Sequence, residues 1–174
     1  MILKTVQPAD YAAIDQFVKD AFTETDHGYD GEVDLIHAIR QDPAYQPYLE
    51  VVAHDHLQPV GMGLLSPITV SNDTTTATGL ALAPLAVAPA FQNQGVGRRL
   101  IEKLEQRARI SGAAFVSILG WPAYYSQFGY HPATNFDIQA PFAVDSDAYL
   151  VKALTPDGLK TIHGTIGYLD AFGL

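Results

Sequence analysis

The sequence predicts an α/β fold with a mixed sheet and helices packed against it. Two apolar segments, residues 79–87 and 115–119, have the composition of buried strands, and an amphipathic helix separates them. A strand, a helix and a second strand in that order form a crossover unit, which makes the two strands parallel. Two strands before them, over residues 48–70, are joined by a short turn, which indicates antiparallel pairing.

The N-terminal half is expected to contribute three strands and two helices before the buried strand at 79–87. Strands are predicted over residues 2–6, 48–54 and 60–70, one helix begins at Pro8, and a second covers about residues 32–40. Asp42-Pro43 ends the second helix, because a residue before proline disfavours helical backbone. Residues 55–59 and 72–76 are predicted turns.

The C-terminal half begins with a helix from Gly95 to Ser111, which Gly112 ends. Its apolar face holds Val96, Leu100, Ile101, Leu104 and Ala108. After the strand at 115–119, Pro122 opens a short helix through Phe128. Residues 131–174 are predicted to form further strands and a short helix near 156–160.

Composition restricts the class of protein. The 174 residues carry a net charge of −9, which argues against a nucleic-acid binder, because phosphate contacts need a basic face. No apolar run approaches the roughly 20 residues that span a bilayer, and the N-terminus does not resemble a signal peptide, so we expect a cytoplasmic protein without a membrane partner. Cysteine is absent, which excludes disulfides, thiol nucleophiles and cysteine metal sites.

The glycine turn, residues 92–98, is the candidate anion-binding site. Gly95 and Gly97 free the backbone from Cβ crowding, so successive N–H groups can converge on a phosphate at the positive end of the following helix. A dinucleotide fingerprint would need a third glycine where Leu100 stands, and the Gly-Lys-Ser/Thr of a P-loop occurs nowhere.

Basic residues concentrate on the helix after the glycine turn. It carries five of the ten lysines and arginines, namely Arg98, Arg99, Lys103, Arg107 and Arg109. We expect Arg98 and Arg99, in the first turn of the helix, to reach a phosphate. The other three are expected to be solvated.

These residues resemble a known signature. Gln92, Gly95 and Gly97 match the Gln/Arg-x-x-Gly-x-Gly/Ala pattern of the GNAT superfamily of N-acetyltransferases. Two further segments are similar to the corresponding segments of the YhbS-type subgroup. They are Pro-Leu-Ala-Val-Ala-Pro at residues 84–89, which leads into the glycine turn, and residues 123–133. The resemblance implies the GNAT fold: a mixed central sheet with antiparallel N-terminal strands and a splayed parallel strand pair, flanked by helices. It also implies a single acetyltransferase domain over residues 1–174, with a cofactor-binding core at about 79–130 and C-terminal strands at 131–174.

The activity implied is transfer of the acetyl group of acetyl-CoA to a primary amine, by direct attack in a ternary complex and without a metal. Leu85 and Val87 would offer backbone hydrogen bonds to the pantetheine and the acetyl carbonyl, with their side chains in the core. The pyrophosphate would lie along Gln92, Gln94, Gly95, Val96, Gly97 and Arg98.

Tyr125 is the candidate catalytic acid. The family motif Tyr-x-x-x-Gly-Phe/Tyr matches Tyr125, Gly129 and Tyr130, and implies that Tyr125 protonates the departing thiolate. Tyr124 misses that register by one residue, a rotation of about 100° on a helix, and is assigned to packing. Trp121 stands where the subgroup commonly has aspartate, and it either lines the acceptor pocket or covers the start of the short helix.

The family asparagine seven residues before the tyrosine is replaced by Ile118, and the general base is left open. A water chain, or a group among Glu24, Asp26 and His27, would take the proton of the amine. His54 and His56, beside a turn, are expected to be exposed histidines rather than metal ligands.

The acceptor is expected to be a small-molecule amine or a peptide. Eight of the nineteen acidic residues lie between positions 10 and 34, a charge that would attract a cationic amine. A non-catalytic module that binds acyl-CoA, a protein or peptide N-acyltransferase, and a homodimer are alternatives that stay open.

Overall fold

Nine strands form one mixed sheet in the computed structural model, which describes residues 1–25 and 28–174. The strands are β1 (Ile2–Thr5), β2 (Glu50–Asp55), β3 (Gln58–Ser71), β4 (Thr76–Val87), β5 (Phe115–Leu119), β6 (His131–Pro132), β7 (Ile138–Gln139), β8 (Tyr149–Ala153) and β9 (Gly164–Gly167). The hydrogen-bonded order is β1-β2-β3-β4-β5-β8-β6, and β9 pairs with both β3 and β7.

Antiparallel pairing joins β1 to β2 and β2 to β3, which confirms the predicted arrangement of the N-terminal strands. Asp55 pairs with Gln58, so the hairpin turn has two central residues, and His56 in it adopts a φ of 52°. The crossover unit is also confirmed, because β4 and β5 are parallel. A second parallel pair, β7 with β9, was not predicted.

The described residues contain four α helices beside the sheet: α1 (Tyr11–Thr23), α2 (Glu32–Gln41), α3 (Val96–Ile110) and α4 (Pro122–Tyr125). All five residues predicted for the apolar face of α3 are buried. Gly112 follows α3 with a φ of 84°, the left-handed conformation that suits glycine at a helix end. None of the helices in the two described stretches combines the length and apolar character needed to cross a bilayer.

The chain divides into two compact units, residues 1–65 with 84–107 and residues 66–83 with 108–174. In the first unit, Gly61 on β3 lies against the start of α3. A Cβ at this position would be 3.0 Å from Cγ1 of Val96 and 3.2 Å from Cδ1 of Leu100. The absent side chain therefore lets the first turns of α3 pack closely on the sheet, which fixes the helix that follows the glycine turn.

A buried charge network also belongs to the first unit. Glu50, fully buried, accepts hydrogen bonds from Nη2 of Arg40 at 2.6 Å and from the hydroxyl of Tyr45 at 2.6 Å. Arg107 donates from Nη1 to the carbonyl of Tyr48 at 2.6 Å and is only 5% exposed. The expectation that Arg107 is solvated was wrong, because this guanidinium binds backbone carbonyls at the start of β2.

The second unit has an apolar core around the fully buried ring of Phe115. A Cβ at Gly79 on β4 would be 2.3 Å from this ring, so Gly79 is the residue that leaves room for it. At the edge of the core, the hydroxyl groups of Tyr149 and Tyr168 lie 2.6 Å apart. Phe142 contacts both rings, with centroid distances of 6.1 and 6.2 Å.

Two predicted elements were wrong. Residues 156–160 form turns rather than a helix, since Gly158 and Lys160 donate to carbonyls three residues back. The Pro-Asp-Gly sequence at 156–158 favours turns, and Gly158 packs against the backbone of Ala114. Tyr48, predicted as the first residue of a strand, lies in a 3-10 helix over Pro47–Leu49.

The buried tyrosines predict a loss of stability at alkaline pH. Burial raises the pKa of Tyr45, Tyr149 and Tyr168 above the usual value of 10.0. The folded protein holds these protons more tightly than the unfolded chain, so the stabilisation is complete below pH 10.0 and declines as the pH rises further. Urea unfolding from about pH 8 to pH 11 should show the decline, and Tyr149→Phe should reduce its slope by up to about 1.4 kcal/mol per pH unit. An identical slope in the variant would contradict the assignment.

Candidate functional site

The glycine turn follows β4 through a 3-10 helix, Pro89–Phe91. The side-chain amide of Gln92 donates to the carbonyl of Val87 at 3.1 Å, and that of Gln94 donates to the carbonyl of Ala90 at 2.9 Å. Both glutamine side chains therefore stabilise the turn through hydrogen bonds to the backbone of the residues just before it. A ligand at this turn would meet the backbone of these residues rather than their side chains.

The backbone of the turn presents a series of N–H groups. Asn93 and Gly95 adopt φ values of 58° and 80°, and the first hydrogen bond of α3 runs from Arg99 N–H to Gly95 C=O at 3.1 Å. Residues 92–95 form a turn directly before α3, and the N–H groups in the first turn of α3 have no partner within the helix. Left-handed residues at the start of a fifteen-residue helix give this segment the backbone geometry of a nest, a concave turn of the kind that can bind anions.

The basic side chains of α3 have different surroundings. Arg98 is exposed in the first turn of the helix, next to the nest. Arg99 donates from Nη2 to the carbonyl of Met1 at 3.4 Å, while Lys103 donates to the side chain of Gln106 at 3.0 Å. Arg109 donates to the carbonyl of Leu154 at 3.3 Å. Of the two arginines expected near a phosphate, Arg98 fits that role better.

The end of β4 leads into the turn. Leu85 and Val87 are half-buried and alternate with Pro84 and Ala86, which are buried. The expectation that the side chains of Leu85 and Val87 pack in the core was therefore wrong, because they lie on the less covered face of the strand.

In the second unit, β4 and β5 pair over a short distance. The parallel ladder among its described residues consists of Leu80 with Val116 and Ala81 with Ser117. Strand β5 continues for two residues, which pair with β8 on its other edge. The ladder does not continue beyond Ala81, so backbone groups of alternate residues on that edge of β4 can pair with an extended ligand that has amides of its own. This agrees with the predicted splay.

Tyr125 lies at the end of α4 in the second unit. Its ring contacts Tyr124 edge-to-face at a centroid distance of 5.0 Å and Tyr130 at 5.9 Å. Burial, and to a smaller extent the neighbouring Tyr124, raise the pKa of the Tyr125 phenol above its usual value. The phenol therefore stays protonated at neutral pH, which is the form that a general acid needs.

The sequence had suggested three bases, and two of them, Asp26 and His27, lie outside the described residues. Glu24 follows α1 and is exposed. His54 was expected to be exposed, and this was wrong: it is 5% exposed, with Nε2 2.9 Å from Oδ1 of Asp10. His56 is exposed, as expected. In residues 1–25 and 28–174, no three acidic or histidine side chains are arranged to hold a metal.

A pocket of about 560 Å³ lies in the first unit, beside the residues that lead into the glycine turn. One wall is a face of α1 from Ala13 to Thr23 together with Glu24, and the other is formed by the first residues of β3 and by residues 88–91. Asp20 and Glu24 supply carboxylates, and Phe17 and Phe91 supply apolar surface. This combination of charge and apolar surface suits an amine with a hydrocarbon body.

Gly120, in contact with Tyr125, was not predicted from the sequence as a residue of the site. A Cβ at this position would collide with the ring of Tyr125. The only sequence signal was its place in the Gly-Trp-Pro segment before α4. Trp121, considered for the acceptor pocket or the helix start, is 56% exposed immediately before α4.

Known proteins resemble this chain along its whole length. The model of the acetyltransferase (GNAT) family matches residues 11–130. The uncharacterized N-acetyltransferase YhbS of Escherichia coli K12 is 30% identical over 172 residues, which is 99% of this chain and 98% of that protein. The crystal structure of YhbS from Escherichia coli in complex with CoA superposes with a TM-score of 0.87 at 29% identity, over 99% of this chain and 92% of that one. A GNAT family acetyltransferase from Brucella melitensis, in complex with acetyl-CoA, gives a TM-score of 0.78 at 26% identity, over 98% and 97% of the two chains.

Proposed function

The chain belongs to the GNAT acetyltransferase family, and we propose that it transfers the acetyl group of acetyl-CoA to a primary amine by direct attack in a ternary complex. In this proposal, residues 1–174 act as one acetyltransferase domain. The observation that carries the proposal is the series of backbone N–H groups at residues 94–97, placed where the positive end of α3 reinforces them. Relatives crystallised with CoA and with acetyl-CoA support the same donor.

The donor would be held by backbone groups along most of its length. The N–H groups of Gln94, Gly95, Val96 and Gly97 would bind the pyrophosphate, with Arg98 adding positive charge. Gln92 would contribute by holding the turn in shape, because its N–H donates to the carbonyl of Pro89 at 3.2 Å and its side chain donates to the carbonyl of Val87 at 3.1 Å. Leu85 and Val87 would offer backbone groups to the pantetheine arm and the acetyl carbonyl.

Tyr125 would donate the phenolic proton to the sulfur as the carbon–sulfur bond breaks. A cationic acceptor first loses one proton to a base or to water and becomes the free amine. Its nitrogen then forms the new bond to the acetyl carbon and gives up a second proton to a base or to water. Tyr125 then recovers a proton from solvent, which closes the proton balance. Binding both substrates in one site supplies positioning, and the donor supplies the activated group.

The acceptor is proposed to be a cationic or polar amine. The pocket beside α1, with the carboxylates of Asp20 and Glu24, supports this class of acceptor. An assay of free thiol release from acetyl-CoA, across amines, amino acids and peptides, tests the proposal. We expect turnover with at least one small amine; binding of acetyl-CoA without turnover on any acceptor would contradict the enzymatic function and support a sensing module.

The donor site is tested by Gly97→Glu. The substitution places a bulky carboxylate in the first turn of α3, where it would repel a phosphate and block the approach to the N–H groups. We expect calorimetry to show acetyl-CoA binding weakened by at least about tenfold, which is about 1.4 kcal/mol. Lys103→Glu, nearly two turns further along the helix, is the charge control and should have a smaller effect. Equal affinity of Gly97→Glu and the wild type would exclude the glycine turn as the phosphate site.

A further inference from the structure

Gly120 and Tyr125 are in closer contact than any residue with a side chain at position 120 would permit. An ideal Cβ on Gly120 would lie 2.3 Å from Cε2 of the Tyr125 ring and 3.0 Å from Cδ2. Contacts of this length do not occur between a real Cβ and a ring carbon. One edge of the ring therefore rests directly on the backbone of Gly120.

The backbone on both sides of this contact is fixed. Gly120 donates its N–H to the carbonyl of Ala148 at 3.0 Å, immediately before β8. Tyr125 donates its N–H to the carbonyl of Trp121 at 3.1 Å and accepts from the N–H of Tyr130 at 3.4 Å. A side chain added at position 120 would thus displace the ring rather than the backbone.

Two aromatic neighbours restrict the movement of the Tyr125 ring. Tyr124 and Tyr130 pack against it edge-to-face, with interplanar angles of 80° and 69°. Tyr125 is nevertheless half-buried rather than fully enclosed, so a displaced ring can rotate toward solvent. Such a rotation would carry the hydroxyl group away from its place without creating a cavity in the core.

We propose that Gly120 is a positioning residue for Tyr125: the absence of a side chain at position 120 determines where the phenolic hydroxyl lies. This inference rests on the proposed role of Tyr125 as the acid that protonates the thiolate. A hydroxyl displaced by about 1 Å can cost up to about 10²-fold in rate, although Gly120 itself touches neither substrate.

A double-mutant cycle tests the inference. Gly120→Ala should lower kcat by about 10- to 10²-fold and leave the Kd for acetyl-CoA unchanged. In a Tyr125→Phe background the same substitution should have no further effect on kcat, because the hydroxyl is already absent. Equal losses from Gly120→Ala in both backgrounds would overturn the inference.

The cycle also distinguishes the role of Tyr125 from the role of Gly120. Full activity of Tyr125→Phe would refute the role of Tyr125, and the inference would fall with it. A slow Tyr125→Phe with a fully active Gly120→Ala would refute the inference alone. Ultraviolet titration of the phenols gives a second readout, because a ring moved toward solvent should ionise at lower pH than in the wild type.

Stability measurements keep the inference testable if Gly120→Ala is poorly folded. Tyr125→Leu removes the ring that the new methyl group would meet. Gly120→Ala should therefore lower Tm in the wild type and leave it unchanged in the Tyr125→Leu background. The matched control is Gly79→Ala, which places a methyl group at the same 2.3 Å from the core ring of Phe115 and should lower Tm in both backgrounds. The same loss from Gly120→Ala in both backgrounds would show that Tyr125 is not the residue that excludes a side chain.

Discussion

Replacing Tyr125 with phenylalanine should lower kcat for acetyl transfer by about 10²- to 10⁴-fold, the range that general acid catalysis contributes. Phenylalanine keeps the ring, its contact with the backbone of Gly120 and its edge-to-face contacts with Tyr124 and Tyr130. The variant removes only the hydroxyl, whose raised pKa keeps it protonated in the wild type. Affinity for acetyl-CoA, measured by calorimetry, should be unchanged.

Tyr124→Phe is the matched control for this experiment. It removes a hydroxyl from the adjacent residue, about 100° away around the helix, and should leave kcat close to the wild-type value. Wild-type turnover in Tyr125→Phe, on an acceptor that the wild type acetylates well, would mean that the thiolate leaves without a proton from this residue. An equal loss in both variants would point to the packing of the tyrosines instead.

Glu50→Ala should lower the free energy of unfolding by about 3–5 kcal/mol, the usual cost of removing one partner from a buried ion pair. The guanidinium of Arg40, whose side chain is 7% exposed, would lose its carboxylate. The hydroxyl of Tyr45 would lose its acceptor as well. Urea unfolding followed by circular dichroism measures the change.

Two further variants define the origin of that loss. Asp157→Ala removes an exposed carboxylate that lies 3.6 Å from Lys160 and should change stability by less than about 1 kcal/mol. Arg40→Leu combined with Glu50→Leu replaces both buried charges and should be more stable than Glu50→Ala, since no unpaired charge is left. A Glu50→Ala variant as stable as Asp157→Ala would show that the network contributes little.

Features that depend on neighbours in sequence were predicted well. The strand at 115–119 is confirmed at both ends, and Gly112 ends α3 as expected, because apolar runs and terminal glycines act locally. The glycine turn could be found for the same reason, since its N–H groups belong to consecutive residues. The hydrogen bond from the side chain of Gln92 to Val87 could not be predicted, because the direction of a side chain depends on its rotamer.

Features that depend on distant residues were missed. Arg107 lies on a helix rich in charged residues, and only the fold reveals that it binds carbonyls at Tyr48 and Glu50. His54 is buried and is hydrogen-bonded to Asp10, which lies 44 positions away in the sequence. The role of Gly120 could not be predicted, because it depends on where β5 ends and on the rotamer of Tyr125.

The two-pair ladder between β4 and β5 also affects the order in which the protein can assemble. Strand β5 makes five register pairs with β8, so most of its hydrogen bonds come from a partner that is synthesised later. Strand β9, which follows β8 in the sequence, completes the pairing of β3. During translation, the second unit must therefore wait for its last strand to leave the ribosome, while β5 and the end of β3 stay exposed to chaperones and to other chains.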